Sequence, residues 1–164
     1  MAEQLISGYR VLDLTEGGCL VGGKILADLG TDVIKIEPPG GSSSRNIGPF
    51  YKDIPDPEKS LFWFAYNANK RGITLDITTA DGQALFSRLV KTADIVLESF
   101  ELGYLDSLGL GYRHLSQVRP EIILTSITPF GHERHLPTPG GRYPVFRLIV
   151  HLVWPKSTEE AIAL

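Results

Sequence analysis

The 164-residue sequence has a single cysteine, Cys19, which excludes an internal disulfide and a metal site built from several thiolates. It lacks a long apolar run: Leu61-Phe-Trp-Phe-Ala-Tyr66 is far short of the ~20 residues a membrane helix needs, so no membrane partner is expected. It also lacks a positive charge excess. Sixteen basic against nineteen acidic residues leave a net charge of −3, the wrong sign for a polyanion binder, so nucleic acid is not expected as a partner. The first residues, Met1-Ala-Glu-Gln-Leu-Ile-Ser-Gly8, show neither a basic nor an apolar signal region, and a cytoplasmic location is expected. With 43% hydrophobic and 21% charged residues, the composition is that of a globular domain with a real core.

Short β-branched runs alternate with helix-like stretches. Arg10–Leu14 reads as a first strand and Gly17–Leu29 as a glycine-opened amphipathic helix stopped by Gly30. Asp32–Glu37 is the second strand. Strand starts about 20 residues apart, with a helix between, make a βαβ unit and a parallel pair. Residues 38–59 hold Pro38, Pro39, Gly40, Gly41, Ser42–Ser44, Pro49, Pro55 and Pro57, the composition of a long loop. Leu61–Asn67 suits a short aromatic helix and Gly72–Asp76 a strand. Thr79 caps a helix that runs to about Thr92. Asp94–Glu98 is a strand, Phe100–Val118 a glycine-punctuated turn-and-helix segment, and Glu121–Ile127 the last strand of the series. The fold class is therefore α/β: an open, mostly parallel sheet with ligand loops at the strand carboxyl ends.

From His132 the texture changes. The last 33 residues have no Asp, yet hold His132, His135 and His151 and four of the eleven prolines. Val145–Trp154 suits either an edge strand or a helix, and periodicity does not decide between them. The domain boundary is placed here, with residues 1–131 as one unit and 132–164 as a divergent tail.

Several motifs bear chemistry. Glu16–Gly23 sets four glycines around a helix N-terminus, where backbone N–H groups can approach an anion. Its spacing departs from the dinucleotide pattern G-x-G-x-x-G, and tight helix–strand packing explains it equally well. Glu37 ends the second strand, where such folds hold a ribose. Ser42–Arg45 offers hydroxyls and a guanidinium to a phosphate, or to solvent. Asn67–Gly72 brings two amides and two cations to a turn, which suits a phosphorylated ligand or a strand edge. Phe100, just past the fourth strand, suits base stacking or the core. Cys19 has no basic partner in view and reads as a small packed side chain rather than a nucleophile. His132-x-x-His135 has no third ligand at metal spacing, so no metal site is assigned.

In these pieces the sequence resembles the family III CoA-transferases, the group of formyl-CoA and carnitine CoA-transferases. The matching segments stand in family order: Gly8-x-Arg10-Val-Leu-Asp-Leu14, Leu26-Ala-Asp-Leu-Gly30-x-Asp32-Val-Ile-Lys-Ile-Glu-Pro38, Gly40-Gly and Arg45. Next come Asn69-Lys-Arg-x-Ile-Thr-Leu-Asp76, Ala93-Asp-Ile-Val-Leu-Glu98-x-Phe100, Leu108-Gly-Leu-Gly-Tyr112, Pro120-x-Ile-Ile and Thr125-Ser-Ile-Thr-Pro-Phe-Gly131. The resemblance implies a Rossmann-like CoA-binding half with helices on both faces. It implies transfer of CoA between an acyl-CoA and a carboxylic acid, with CoA thioesters as substrates, no permanently bound cofactor, and self-association. Carried over by motif position, the CoA contacts are Gly18, Cys19, Leu75, Asp76, Ile77, Thr78, Ser99 and Phe100.

In the family, an Asp attacks the acyl-CoA thioester to give a mixed anhydride, and CoA thiolate then converts it to an aspartyl thioester. That Asp lies a few tens of residues beyond the Ser-Ile-x-x-Phe-Gly segment. The last Asp of this sequence is Asp106, so no catalytic residue is assigned. A cation often found after Phe100 is also missing from Glu101–Ser107. Two expectations follow: a CoA-transferase N-terminal half that leaves the family after Gly131 through a frameshift, stop or rearrangement, or a short non-catalytic CoA-binding module. An NAD-type domain is a third reading, disfavoured by the glycine spacing.

Overall fold

The computed structural model describes residues 5–128 and the backbone of 149–153. Five parallel strands, β1 (Arg10–Leu14), β2 (Asp32–Glu37), β3 (Arg71–Thr74), β4 (Ile95–Glu98) and β5 (Ile123–Thr128), join β6 (Ile149–Val153), which pairs antiparallel to β5. The order across the sheet is β3-β2-β1-β4-β5-β6. The chain reverses its direction of growth between β1 and β4, the switch point at which open α/β sheets place a ligand crevice.

Strand alternation sorts the two faces. Leu12, Leu14, Ile34 and Ile36 pack with Phe86 and Val90 of helix α3 (Ala80–Val90), Leu105 of α4 (Tyr104–Ser107) and Leu115 of α5 (Tyr112–Val118). On the other face, Val11, Val33 and Leu97 meet Ala27 of α1 (Leu20–Asp28), and α2 (Leu61–Asn67) packs beside α1. Because side chains alternate with period two, Asp13, Lys35 and Glu37 share the α1 face with Val11 and Val33. Polar groups there must find partners inside the fold.

Local signals end the elements where the sequence places them. Gly30, at φ +104°, closes α1, and its N–H donates to the Ala27 carbonyl at 3.1 Å. The Thr79 hydroxyl accepts from Gly82 N at 3.1 Å and caps α3. Ser60 does the same for α2, accepting from Trp63 N at 3.0 Å. Each such cap is worth about 1 kcal/mol. Phe86 is fully buried, so truncating it to alanine costs about 3–5 kcal/mol.

Two expectations are refined. The 38–59 loop is not featureless: it contains 3-10 turns at Ser43–Asn46, Tyr51–Asp53 and Pro57–Lys59. Of Val145–Trp154, Ile149–Val153 takes the edge-strand alternative, because β5 still offers an unpaired ladder to it. His132, His135 and the 129–148 segment lie outside the described residues.

Candidate functional site

A cleft of about 400 Å³ opens at the carboxyl ends of β1, β2 and β3. Leu14 and Glu16 line it from β1, and Ile36, Glu37 and Pro38 from β2. Leu75, Asp76, Ile77 and Thr78 follow β3 into it, and Phe100 and Tyr104 close it from beyond β4. Five of the eight residues carried over as CoA contacts thus stand on one wall system. The aromatic rings of Phe100 and Tyr104 lie 4.8 Å apart at an angle of 42°. The lining is mostly apolar and includes the carboxylates of Glu16, Glu37 and Asp76, and it holds no lysine or arginine among the described residues.

Asp76 is positioned by its own turn. Its Oδ1 accepts from Thr78 N at 3.0 Å and from the Thr78 hydroxyl at 2.5 Å, which holds its carboxyl below the usual range. A Cβ at Gly82 would stand 1.7 Å from the Asp76 carbonyl oxygen, so only glycine lets α3 begin this close to the cleft wall.

The remaining three carried-over residues sit beside the cleft rather than in its lining. Gly18 is exposed, with open space where a Cβ would stand. The Ser99 hydroxyl accepts from Glu16 N at 2.8 Å and so fixes the backbone just past β1. Cys19 is partly buried. Burial pushes its thiol above the ordinary 9.0, a hydrogen bond with Ser99 lowers it, and the charges of Glu98 and Asp13 raise it further. A thiol held protonated is a poor nucleophile.

Beneath the cleft lies a buried charge network that the sequence motifs do not disclose. Lys70 Nζ donates to Asp13 Oδ2 at 2.8 Å and to the Leu20 carbonyl at 3.1 Å, with both charged side chains sealed from solvent. Asp13 Oδ1 accepts from Thr15 N at 2.9 Å and from the Thr15 hydroxyl at 2.6 Å. Lys35, 1% exposed, donates to the Thr15 carbonyl and stands 3.8 Å from Glu16 Oε1. Burial pushes its amine below the ordinary range, with Asp13 and Glu16 opposing the shift. Glu16 Oε2 collects the hydroxyls of Ser42, Ser43 and Ser44 at 2.5, 3.0 and 2.9 Å.

These contacts reassign three motifs. The serines of Ser42–Arg45 and its guanidinium serve Glu16 and Glu37 instead of facing a phosphate. Lys70 is consumed by Asp13, and Arg71 pairs with Asp32 at 2.7 Å, so the Asn67–Gly72 turn holds the sheet together. At the first βα turn, Glu16 N and Gly17 N donate to Ser99 and Ser44 hydroxyls, each at 2.8 Å. Two N–H groups of the turn are thus partnered from within the chain. Glu16, Ile36, Ser43 and Tyr104 are cleft residues absent from the carried-over set. The signals that point to them are the strand-end rule and, for Tyr104, its four-residue spacing from Phe100.

A second, smaller cleft of about 260 Å³ lies between β5 and the α4–α5 segment, lined by Glu98, Asp106, Tyr112, Arg113 and Ser126 among others. No group of three or more His, Cys, Asp or Glu with metal-binding geometry occurs among the described residues.

The model of CoA-transferase family III matches residues 6–141. The chain is 41% identical over 128 residues to the succinyl-CoA:(R)-benzylsuccinate CoA-transferase subunit BbsE of Thauera aromatica, covering 78% of this chain and 31% of that protein. It is 42% identical over 132 residues to the succinate–glutarate CoA-transferase of Agrobacterium fabrum, covering 77% and 32%. A crystal structure of a CAIB/BAIF family protein from Brucella suis superposes with a TM-score of 0.68 at 41% identity, over 77% of this chain and 34% of that one. The chain spans about a third of the length of these relatives.

Proposed function

The chain belongs to CoA-transferase family III, and from that membership we propose that its sheet is the CoA-binding part of an enzyme that moves CoA between an acyl-CoA and a carboxylic acid. The observation that supports this most is the convergence of Leu75, Asp76, Ile77, Thr78 and Phe100 on one cleft. Phe100 with Tyr104 offers an aromatic wall for a flat or extended ligand part, and Leu14 and Ile36 add apolar lining. Gly18, Cys19 and Ser99 flank the entrance in this reading. Residues 1–131 are the CoA-binding unit, and β6 from the 132–164 tail completes its edge. CoA thioesters act as substrates, with no resident cofactor, in the cytoplasm where such thioesters are pooled. No described helix is long and apolar enough to cross a membrane.

The carboxylates around the cleft favour binding over covalent chemistry by this part of the chain. Glu16 accepts three serine hydroxyls, Asp76 is held by Thr78, and Glu37 is paired with Arg45. A carboxylate engaged in this way is a weak nucleophile, because each hydrogen bond stabilises the charge that attack would consume. A non-catalytic CoA-binding module is accordingly the second reading.

Titration of the protein with CoA and with NAD, followed by thermal denaturation, tests the ligand class. A shift with CoA alone is expected; a shift with NAD alone defeats the proposal. Hydroxylamine trapping under succinyl-CoA separates transferase from module, since a trapped acyl adduct requires a nucleophilic carboxylate. Self-association is part of the proposal: Ile25 of α1 and Phe64 of α2 are 53% and 50% exposed, on helices that pack together. Size-exclusion chromatography giving a monomer at all concentrations would remove that element.

A further inference from the structure

Glu37 ends β2, the position from which dinucleotide-binding α/β sheets present an acidic side chain to the free 2′- and 3′-hydroxyls of an adenosine ribose. Here both oxygens of that carboxylate are already engaged within the chain. Arg45 Nε donates to Oε2 at 2.6 Å and Arg45 Nη2 to Oε1 at 2.9 Å, while Ser42 N adds a bond to Oε2 at 2.9 Å. The guanidinium is itself fixed. It lies 4.3 Å over the buried Trp63 ring, and its Nη1 reaches Glu58 at 3.0 Å. Gly41, at φ +88°, makes room for it, since a Cβ there would stand 3.1 Å from Arg45 Cδ.

We propose that Arg45 is a specificity-determining residue that, by capturing both oxygens of Glu37 at the cleft wall, selects adenosine ligands whose ribose is 3′-phosphorylated over those with a free ribose diol. This rests on the reading of the cleft as a CoA site. Two physical effects point the same way. A vicinal diol gains most from a carboxylate that keeps its full negative charge, and the bidentate guanidinium of Arg45 neutralises the charge on Glu37. A 3′-phosphate is repelled by an unpaired carboxylate at the wall of a partly desolvated cleft, and the bidentate ion pair removes that repulsion. One substitution of the usual β2 acid is therefore unnecessary: the acid stays and a neighbouring loop neutralises it. Glu37 and Arg45 are positioning residues for the ligand class, acting through charge at the cleft wall.

Calorimetric titration of the full chain with CoA and with 3′-dephospho-CoA reads the effect as a ratio of affinities. Arg45→Met leaves Glu37 unpaired and should lower the CoA to dephospho-CoA ratio by about fivefold or more. Glu37→Gln removes the bidentate carboxylate from Arg45, leaving it the exposed Glu58, and should move the ratio the opposite way. The double variant, Arg45→Met with Glu37→Gln, should return it close to the starting value. Circular dichroism checks that each variant is folded; if Arg45→Met is not, Glu37→Gln and Arg45→Lys carry the test, because they keep a cation in the loop. A ratio unchanged in every folded variant overturns the inference while leaving the CoA reading intact. Binding of neither ligand by the unaltered protein overturns the CoA reading and, with it, the inference.

Discussion

Lys70 and Asp13, 57 positions apart in the sequence, form an ion pair of 2.8 Å with both side chains sealed from solvent. The pair ties the turn before β3 to the middle of β1, and its second bond, from Lys70 to the Leu20 carbonyl, reaches the first turn of α1. Removing one partner of such a pair leaves a buried charge uncompensated. Lys70→Met should destabilise the fold by about 3–5 kcal/mol. Lys70→Met combined with Asp13→Asn should cost less than Lys70→Met alone, since the neutral amide still accepts from Thr15. Urea denaturation of the two variants decides it, and equal costs would show that the charge pairing contributes nothing.

Gly23 and Gly22 are neighbours in α1 with opposite tolerances. A Cβ on Gly23 would stand 2.1 Å from Asp13 Oδ2 and 3.0 Å from Lys70 Nζ, inside the ion pair, whereas one on Gly22 meets the end of the Ile127 side chain at 3.3 Å. Gly23→Ala should therefore destabilise by about 2–3 kcal/mol through overpacking. Gly22→Ala should be close to neutral, because the helix-propensity gain of up to about 1 kcal/mol offsets a small shift of Ile127. Thermal denaturation of both variants should show the first lowered and the second little changed; the reverse order would place α1 differently against β1.

The acid limb of stability follows from Glu37 and Asp32. Burial alone would raise the Glu37 carboxyl, but hydrogen bonds from Arg45 and Ser42 N and the guanidinium charge hold it below its ordinary 4.5. Asp32 is likewise pushed up by burial and pulled further down, below its ordinary 3.8, by Arg10 and Arg71. A carboxyl with a depressed value in the fold binds protons less readily there than in the unfolded chain. Its contribution is complete above about 4.5 and is lost as the pH falls through the folded value. The urea midpoint should drop between pH 5 and pH 3, and Arg45→Met should show a shallower drop. A midpoint flat across that range would contradict the ion pairs.

Cys19 should react slowly. Its burial, with the nearby Glu98 and Asp13 charges, outweighs the Ser99 hydrogen bond and keeps the thiol protonated above the ordinary range. Alkylation by iodoacetamide at pH 8 should run on the order of tenfold slower than for a free thiol. CoA should slow it further if Cys19 flanks the bound ligand as proposed, and NAD should not. Labelling at the rate of a free thiol would place the side chain in open solvent.

Much of the fold was legible in short segments. The β-branched runs at Arg10–Leu14 and Asp32–Glu37 and the aromatic run at Leu61–Asn67 became elements with those same bounds, because propensity, alternation and flanking glycine or serine caps act within a few residues. The family resemblance implies Leu75–Thr78 and Phe100 by motif position, and these five residues line one cleft.

What the tertiary structure alone decided is where each charge finds its partner. Lys70 and Arg71 look like two equivalent cations on a turn, and the sheet sends one to Asp13 in the interior and the other to Asp32 at the surface. Ser42–Ser44 look like a phosphate loop, and the return of the chain over β2 delivers them to Glu16. Hydrophobic periodicity is written along the chain, so sequence determined the α/β layers. Electrostatic pairing depends on distances between residues tens of positions apart, so only the assembled sheet brought the serines and Glu16 together as a brace beside the mostly apolar, aromatic-walled cleft.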